Sequence, residues 1–166
     1  LDNSLQVYSS GNHNMDVRIK SVNNQQAQNK ANNSYSKSCS NSPGSSRLNL
    51  NLDLDCWGSE ISWQITDDNN AVIWQVLENT YPDVQPSGTT VNEVVCLDNG
   101  CYDFTINDTY GDGMYGSQYT ECSVNGNFSM VDQWNTNTFF SMTAPNANFG
   151  VAESHSFCVT TNSVCL

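Results

Sequence analysis

Asp108 and Asp112 stand four residues apart in the string D-T-Y-G-D-G-M, with Gly111 between them and Gly113 just after. Carboxylates set in a glycine-containing bend suit a hard cation, because calcium takes carboxylate and carbonyl oxygens from flexible loops and glycine admits the positive φ that folds such a loop inward. Asp103, five residues before Asp108, is a third candidate ligand. The spacing differs from the twelve-residue calcium loop, and the same two aspartates would equally serve as caps on the backbone amides of a tight turn. Trp57 and Trp134, flanked by polar residues, are candidates for an exposed platform of the kind on which sugar rings stack, and Tyr110 and Tyr115 are the tyrosines to suspect beside them. Catalysis has no comparable support. His13 and His155 lack metal-ligand spacing and adjoin no nucleophile motif, and among 17 acids a pair of carboxylates is always to be found, so the chain reads as a non-enzyme.

The elements that must position these residues are strands. Tyr102, Phe104 and Ile106 alternate with Asp103, Thr105 and Asn107, the period-two signature of a strand with one buried face, and the strand stops at the bend. Arg47–Asp55 alternates more clearly still, with Leu48, Leu50, Leu52 and Leu54 against Asn49, Asn51, Asp53 and Asp55. Further strands are expected at Ile61–Thr66, Val72–Val76, Thr89–Leu97, Gln118–Val124, Phe128–Val131, Phe139–Met142 and Ser154–Val159, with Trp63 and Trp74 in the core. Short strands at regular intervals, with no convincing helical stretch, predict an all-β fold: an antiparallel, jelly-roll-like β-sandwich over residues 47–166, preceded by an extended N-terminal arm over residues 1–46.

The D-x-Y-G-D-G-M string, preceded by G-C-Y-x-F-T-I, resembles a β-sandwich accessory domain of large secreted bacterial proteins, often found beside metalloprotease domains. The similarity runs over roughly Leu48–Val159 and includes D-C-W-G-S-E-I-S-W at Asp55–Trp63 and C-L-D-N-G-C at Cys96–Cys101. What it implies is a sandwich fold and a binding role; that family offers no established catalytic residue to carry over.

Seven cysteines in 166 residues, without a C-x-x-C pair, favour an oxidising compartment and disulfides over zinc. Cys96 and Cys101 flank a short D-N-G loop and are expected to bridge across a hairpin, and a Cys56–Cys158 bridge would close the domain. That leaves Cys39, Cys122 and Cys165, with one odd thiol either pairing between chains or lying buried at Cys122. No apolar run approaches the roughly 18 residues of a spanning helix. The chain opens on Leu1 rather than Met, and with the cysteines this predicts a processed, extracellular protein. Sequons at Asn32, Asn107 and Asn127 would be glycan sites in a glycosylating host, although such triplets also arise by chance in a chain so rich in Asn and Ser.

The net charge of −12 is divided unevenly. Residues 1–47 hold all five basic side chains, Arg18, Lys20, Lys30, Lys37 and Arg47, and only two acids; the remaining 15 acids follow with no Lys or Arg among them. An acidic body excludes nucleic acid and anionic lipid as partners. A basic arm on an acidic body is complementary, either folded back on itself or head to tail with another copy. Met15–Val22 alternates like a strand, placing Met15, Val17 and Ile19 on one face and Arg18 and Lys20 on the other, while Asn23–Ser46 has the composition of a disordered linker. The first functional reading is therefore a subunit of an extracellular fibre, its arm donated to the neighbouring sandwich in the manner of donor-strand pili and the homopolymer growing head to tail. The alternative is a calcium-dependent module that binds glycans or another surface polymer.

Overall fold

The computed structural model describes residues 45–160 in full and, ahead of them, the backbone of four strands. The body is a β-sandwich. Its strands are β5 (Ser46–Leu54), β6 (Ile61–Asp67), β7 (Val72–Val76), β8 (Thr89–Leu97), β9 (Gly100–Asp108), β10 (Asn127–Asp132), β11 (Thr138–Ser141) and β12 (Ala152–Val159). They form two four-stranded sheets in the orders β11-β10-β5-β8 and β12-β9-β6-β7, with every neighbouring pair antiparallel. Most connections cross from one sheet to the other, as in a jelly roll, while β6–β7 and β10–β11 are hairpins within a sheet.

The alternation that predicts the strands also fixes their faces. Leu48, Leu50, Leu52 and Leu54 of β5 point into the core and are all but inaccessible, as are Ile61, Trp63 and Ile65 of β6 and Phe104 and Ile106 of β9. Phe104 packs against Phe128 and Phe140 across the two sheets, and Phe140 packs on Phe157. Trp63 is buried as expected, its indole N–H donating to the Tyr81 hydroxyl at 2.9 Å, whereas Trp74 is only partly covered. The turn between β6 and β7 is held by Asp67, whose Oδ1 accepts from the amides of Asn69 and Ala71.

Four expectations are corrected. The segment Gln118–Val124 is no strand: Gly116–Gln118 forms a 3-10 turn and the chain then runs irregularly to β10. Cys101 bonds to Cys158, directly opposite it in the β9–β12 pair, rather than to Cys96; the D-N-G connection carries the chain from one sheet to the other, so Cys96 and Cys101 never face each other across a hairpin. Cys56 bonds to Cys122 rather than to Cys158, which also removes Cys122 as the buried thiol. The arm is more than one strand and a linker. β1 (Gly11–Arg18) pairs along its length with β4 (Ser34–Asn41), in a register from Gly11 opposite Asn41 to Arg18 opposite Ser34, and the short strands β2 (Ser21–Val22) and β3 (Gln25–Gln26) pair between them. The reason lies in Ser34–Asn41 itself, S-Y-S-K-S-C-S-N, where serines alternate with larger side chains in a strand's own period. Among the described residues, this sheet shares no ladder with either sheet of the sandwich. Met15, Val17 and Arg18 thus lie in β1, while Ile19, Lys20, Asn32 and Cys165 fall outside the described residues.

Candidate metal centre and aromatic pocket

The inward face of β9 does not end with its apolar residues. Phe104 and Ile106 are followed, two positions on, by Asp108, and the same period that buries the first two buries the third, leaving it only 2% exposed. A carboxylate so placed needs partners. Asp108 Oδ1 accepts from the Tyr110 amide and Oδ2 from the Asp112 amide, both at 2.9 Å, so the capped-turn reading of the bend holds. Gly113, at φ +71°, is the glycine the bend cannot replace: a Cβ there would lie 2.5 Å from the Ala147 carbonyl oxygen.

Capping does not exhaust these carboxylates. Antiparallel pairing sets Ile61 of β6 opposite Asp108, and so brings the residue before it, Glu60 on the Gly58–Glu60 turn, beside the bend. The Glu60 carbonyl accepts from the Thr109 amide at 3.1 Å, which locks the two segments together. Carboxylate oxygens of Glu60, Asp108 and Asp112 all lie within 4.8 Å of one another. Asp103, expected as a third ligand, is not among them. Five residues along a strand is about 17 Å, and Asp103 points outward, accepting a hydrogen bond from Ser156. Glu60 was not a sequence candidate, because only the β6–β9 register places it at the bend.

Two more acids raise the local negative potential. Asp55, 4% exposed, accepts from the Trp57 amide, and Asp83 accepts from the Ser59 amide. No Lys or Arg follows Arg47, and Arg47 lines a different groove, with Asp132, Phe139 and Phe157. Two unit charges 4.8 Å apart repel by about 3 kcal/mol at an effective dielectric of ~20, a load that a proton or a bound cation relieves. The titration of the acids reflects this. Glu60 is pushed up to about 7 by burial and then by the charges of Asp108, Asp112, Asp55 and Asp83. Asp55 is pushed up to about 6, again by burial first, against the pull of the Trp57 amide. Burial likewise raises Asp108.

These shifts set opposite pH dependences with and without metal. A carboxylate raised in the folded chain binds its proton more tightly there than when unfolded; the stability this contributes is full at about pH 4 and is lost as the pH rises through 6 to 7. Calorimetry in a chelating buffer should therefore give a melting temperature that falls from about pH 4 to about pH 8. A cation taken up by these carboxylates would have to displace those same protons, so its affinity should rise over the same interval.

Above the carboxylates lies a pocket of about 210 Å³ lined by Trp57, Glu60, Tyr110, Asp112 and Tyr119. Trp57 and Tyr119 meet edge to face at 5.1 Å and Tyr119 and Tyr110 at 6.4 Å, forming a continuous aromatic wall. Asp112 is steadied from that side by the Gln118 amide group at 2.7 Å, and the Tyr119 hydroxyl is pushed up to about 12 by burial and by its hydrogen bond to Asp112. The Cys56–Cys122 disulfide joins the two segments that carry Trp57 and Tyr119. Of the four aromatic candidates, Trp57 and Tyr110 reach this pocket, and Tyr110 keeps 70% of its surface exposed. Tyr115 does not line it, and Trp134 stands 69% exposed on the β10–β11 turn, whose backbone Asp132 holds. His155 stacks on Phe140 at 5.0 Å with Nε2 2.7 Å from Glu153, and so sits in a packed, hydrogen-bonded place. Of the sequons, Asn127 is exposed at the start of β10, and Asn107 is half-covered on β9 between β6 and β12. No family model, curated protein or solved structure matches the chain.

Proposed function

We propose that the sandwich is a calcium-dependent binding module. The observation that carries this reading is the convergence of Glu60, Asp108 and Asp112 on one point below an aromatic wall, with no basic side chain beyond Arg47 to neutralise them. Two oxygens bound to one calcium at about 2.4 Å can be no more than about 4.8 Å apart, the limit these three carboxylates meet. Calcium takes six to eight oxygens, so three carboxylates leave coordination positions open toward the pocket. Vicinal hydroxyls of a sugar would fill them while its ring faces Trp57, Tyr119 and Tyr110, which makes an extracellular polysaccharide the ligand class. Two disulfides are compatible with that compartment.

The test is a glycan array probed with the full chain in calcium and again after chelation. Binding should require calcium and fall about tenfold to a hundredfold in a Trp57→Ala chain, since base or sugar stacking on one aromatic face is worth about 1–3 kcal/mol. Binding that survives chelation would overturn the calcium dependence.

The charge division favours a second reading, a subunit of a homopolymer. The arm, residues 1–46, carries four basic side chains and two acids, a net charge of +2, and meets a body of 15 acids, while the described strands of the arm pair among themselves. Opposite potentials of this kind steer association between copies.

A further inference from the structure

We infer that the cavity walled by Trp57, Tyr110 and Tyr119 binds a quaternary ammonium group, in competition with calcium. The inference goes beyond the calcium-dependent reading and does not require it. The three rings do not form a flat platform: the planes of Trp57 and Tyr119 stand at 81° to each other and those of Tyr110 and Tyr119 at 76°. Rings turned in this way wall a compact group from more than one side, and a cation among them is attracted by the quadrupole of each. The cavity holds about 210 Å³, less than the roughly 300 Å³ at which pockets for drug-sized ligands begin, so it suits a single head group. Its walls are also set in advance. The backbone of Trp57 bridges to Asp83, the Tyr110 amide is held by Asp108 at 2.9 Å, and the Tyr119 amide donates to the Gly116 carbonyl at 3.0 Å. A ligand entering here has little ordering left to do.

Charge selects the occupant. Glu60 and Asp112 line the same cavity, their carboxylate oxygens lie within 4.8 Å of those of Asp108, and the one base of the body, Arg47, lines a different groove. An anion is repelled from such a place, and a neutral group gains nothing from its charge. The hydrogen bonds then choose among cations. A primary ammonium needs acceptors for three N–H groups, and these carboxylates are already engaged: both oxygens of Asp108 accept from backbone amides, and Asp112 Oδ2 accepts from the Gln118 amide group at 2.7 Å. A quaternary ammonium has no N–H to satisfy, so the field of the carboxylates and contact with the rings are all it requires. Calcium would draw on the same oxygens of Glu60 and Asp112, so each cation displaces the other.

The probe is choline, titrated into the chelator-stripped full chain by calorimetry at constant ionic strength, beside 3,3-dimethylbutan-1-ol, which replaces the trimethylammonium group with a neutral one of the same shape. The inference predicts saturable choline binding in the millimolar range or below, with the neutral alcohol at least about tenfold weaker. Tyr110, 70% exposed, can be changed with little risk to the fold. Tyr110→Ala should weaken choline about tenfold, Tyr110→Phe should retain it because the ring remains, and Trp134→Ala, on the distant β10–β11 turn, should leave it unchanged. Added calcium should lower the apparent choline affinity. Equal binding of choline and the alcohol, no saturable choline binding, or binding that Tyr110→Ala leaves untouched would each overturn the inference, and choline binding indifferent to saturating calcium would overturn the shared carboxylates. None of these results bears on whether calcium itself binds, which the calcium titration decides separately.

Discussion

An Asp108→Asn chain should lose calcium affinity by at least about a hundredfold while still folding, because a neutral amide takes the place of the most buried of the three carboxylates. Titration calorimetry reads the affinity, and chemical denaturation reads the fold. The fold should survive at a cost of about 1–3 kcal/mol, since the amide oxygen still accepts one of the two backbone bonds from Tyr110 and Asp112 while the amide nitrogen cannot accept the other. Asp103→Asn is the matched control. It stands on the same strand, faces outward and should leave calcium affinity unchanged. If the two substitutions lowered affinity equally, the ion would be held by general negative potential rather than at the bend.

Removing the Cys56–Cys122 bridge, as a Cys56→Ala, Cys122→Ala double substitution, should cost about 4 kcal/mol, the loop-closure contribution for residues 66 apart, and lower the melting temperature by roughly 15 °C. Removing Cys101–Cys158, which spans a separation of 57, should cost a similar amount. The two should part company at the site. Cys56 lies between Asp55 and Trp57, and Cys122 stands three residues after Tyr119, so the first bridge holds the pocket's two walls together. The second joins β9 to β12, which their ladder already holds together. Calcium affinity and ligand binding should therefore fall with loss of the first bridge and persist without the second, measured below the melting transition of each chain.

Much of the fold was legible because it is written with period two. The leucines of β5, the Trp63 face of β6 and the Phe104, Ile106, Asp108 series of β9 announce both strand and buried face, and the last of these carried the buried aspartate with it. The local half of the site was legible for the same reason: Asp108, two glycines and Asp112 fall in one bend. The distant half was not. Glu60 lies 48 positions before Asp108, and only the register of Ile61 against Asp108 makes them neighbours. Cysteine pairing failed on the same ground, since Cys96 and Cys101 are close in sequence yet belong to different sheets. Tyr119 was hidden differently. Its surroundings, Q-Y-T-E-C-S-V, alternate like a strand, but the Cys56–Cys122 bridge and the turn before it hold the segment in an irregular path. In the arm, composition pointed to a disordered linker where β4 finds its partner in β1 through serine alternation too polar to read as a strand.

The most direct test of the central claim is a calcium titration of the chelator-stripped full chain by calorimetry at about pH 7.5, followed to about 10 mM, beyond the range of ordinary extracellular calcium modules. The account predicts one saturable site per chain and a stability gain of about 2.7 kcal/mol when calcium stands at a hundred times its dissociation constant. A flat titration, with a melting temperature indifferent to calcium over that range, would contradict it.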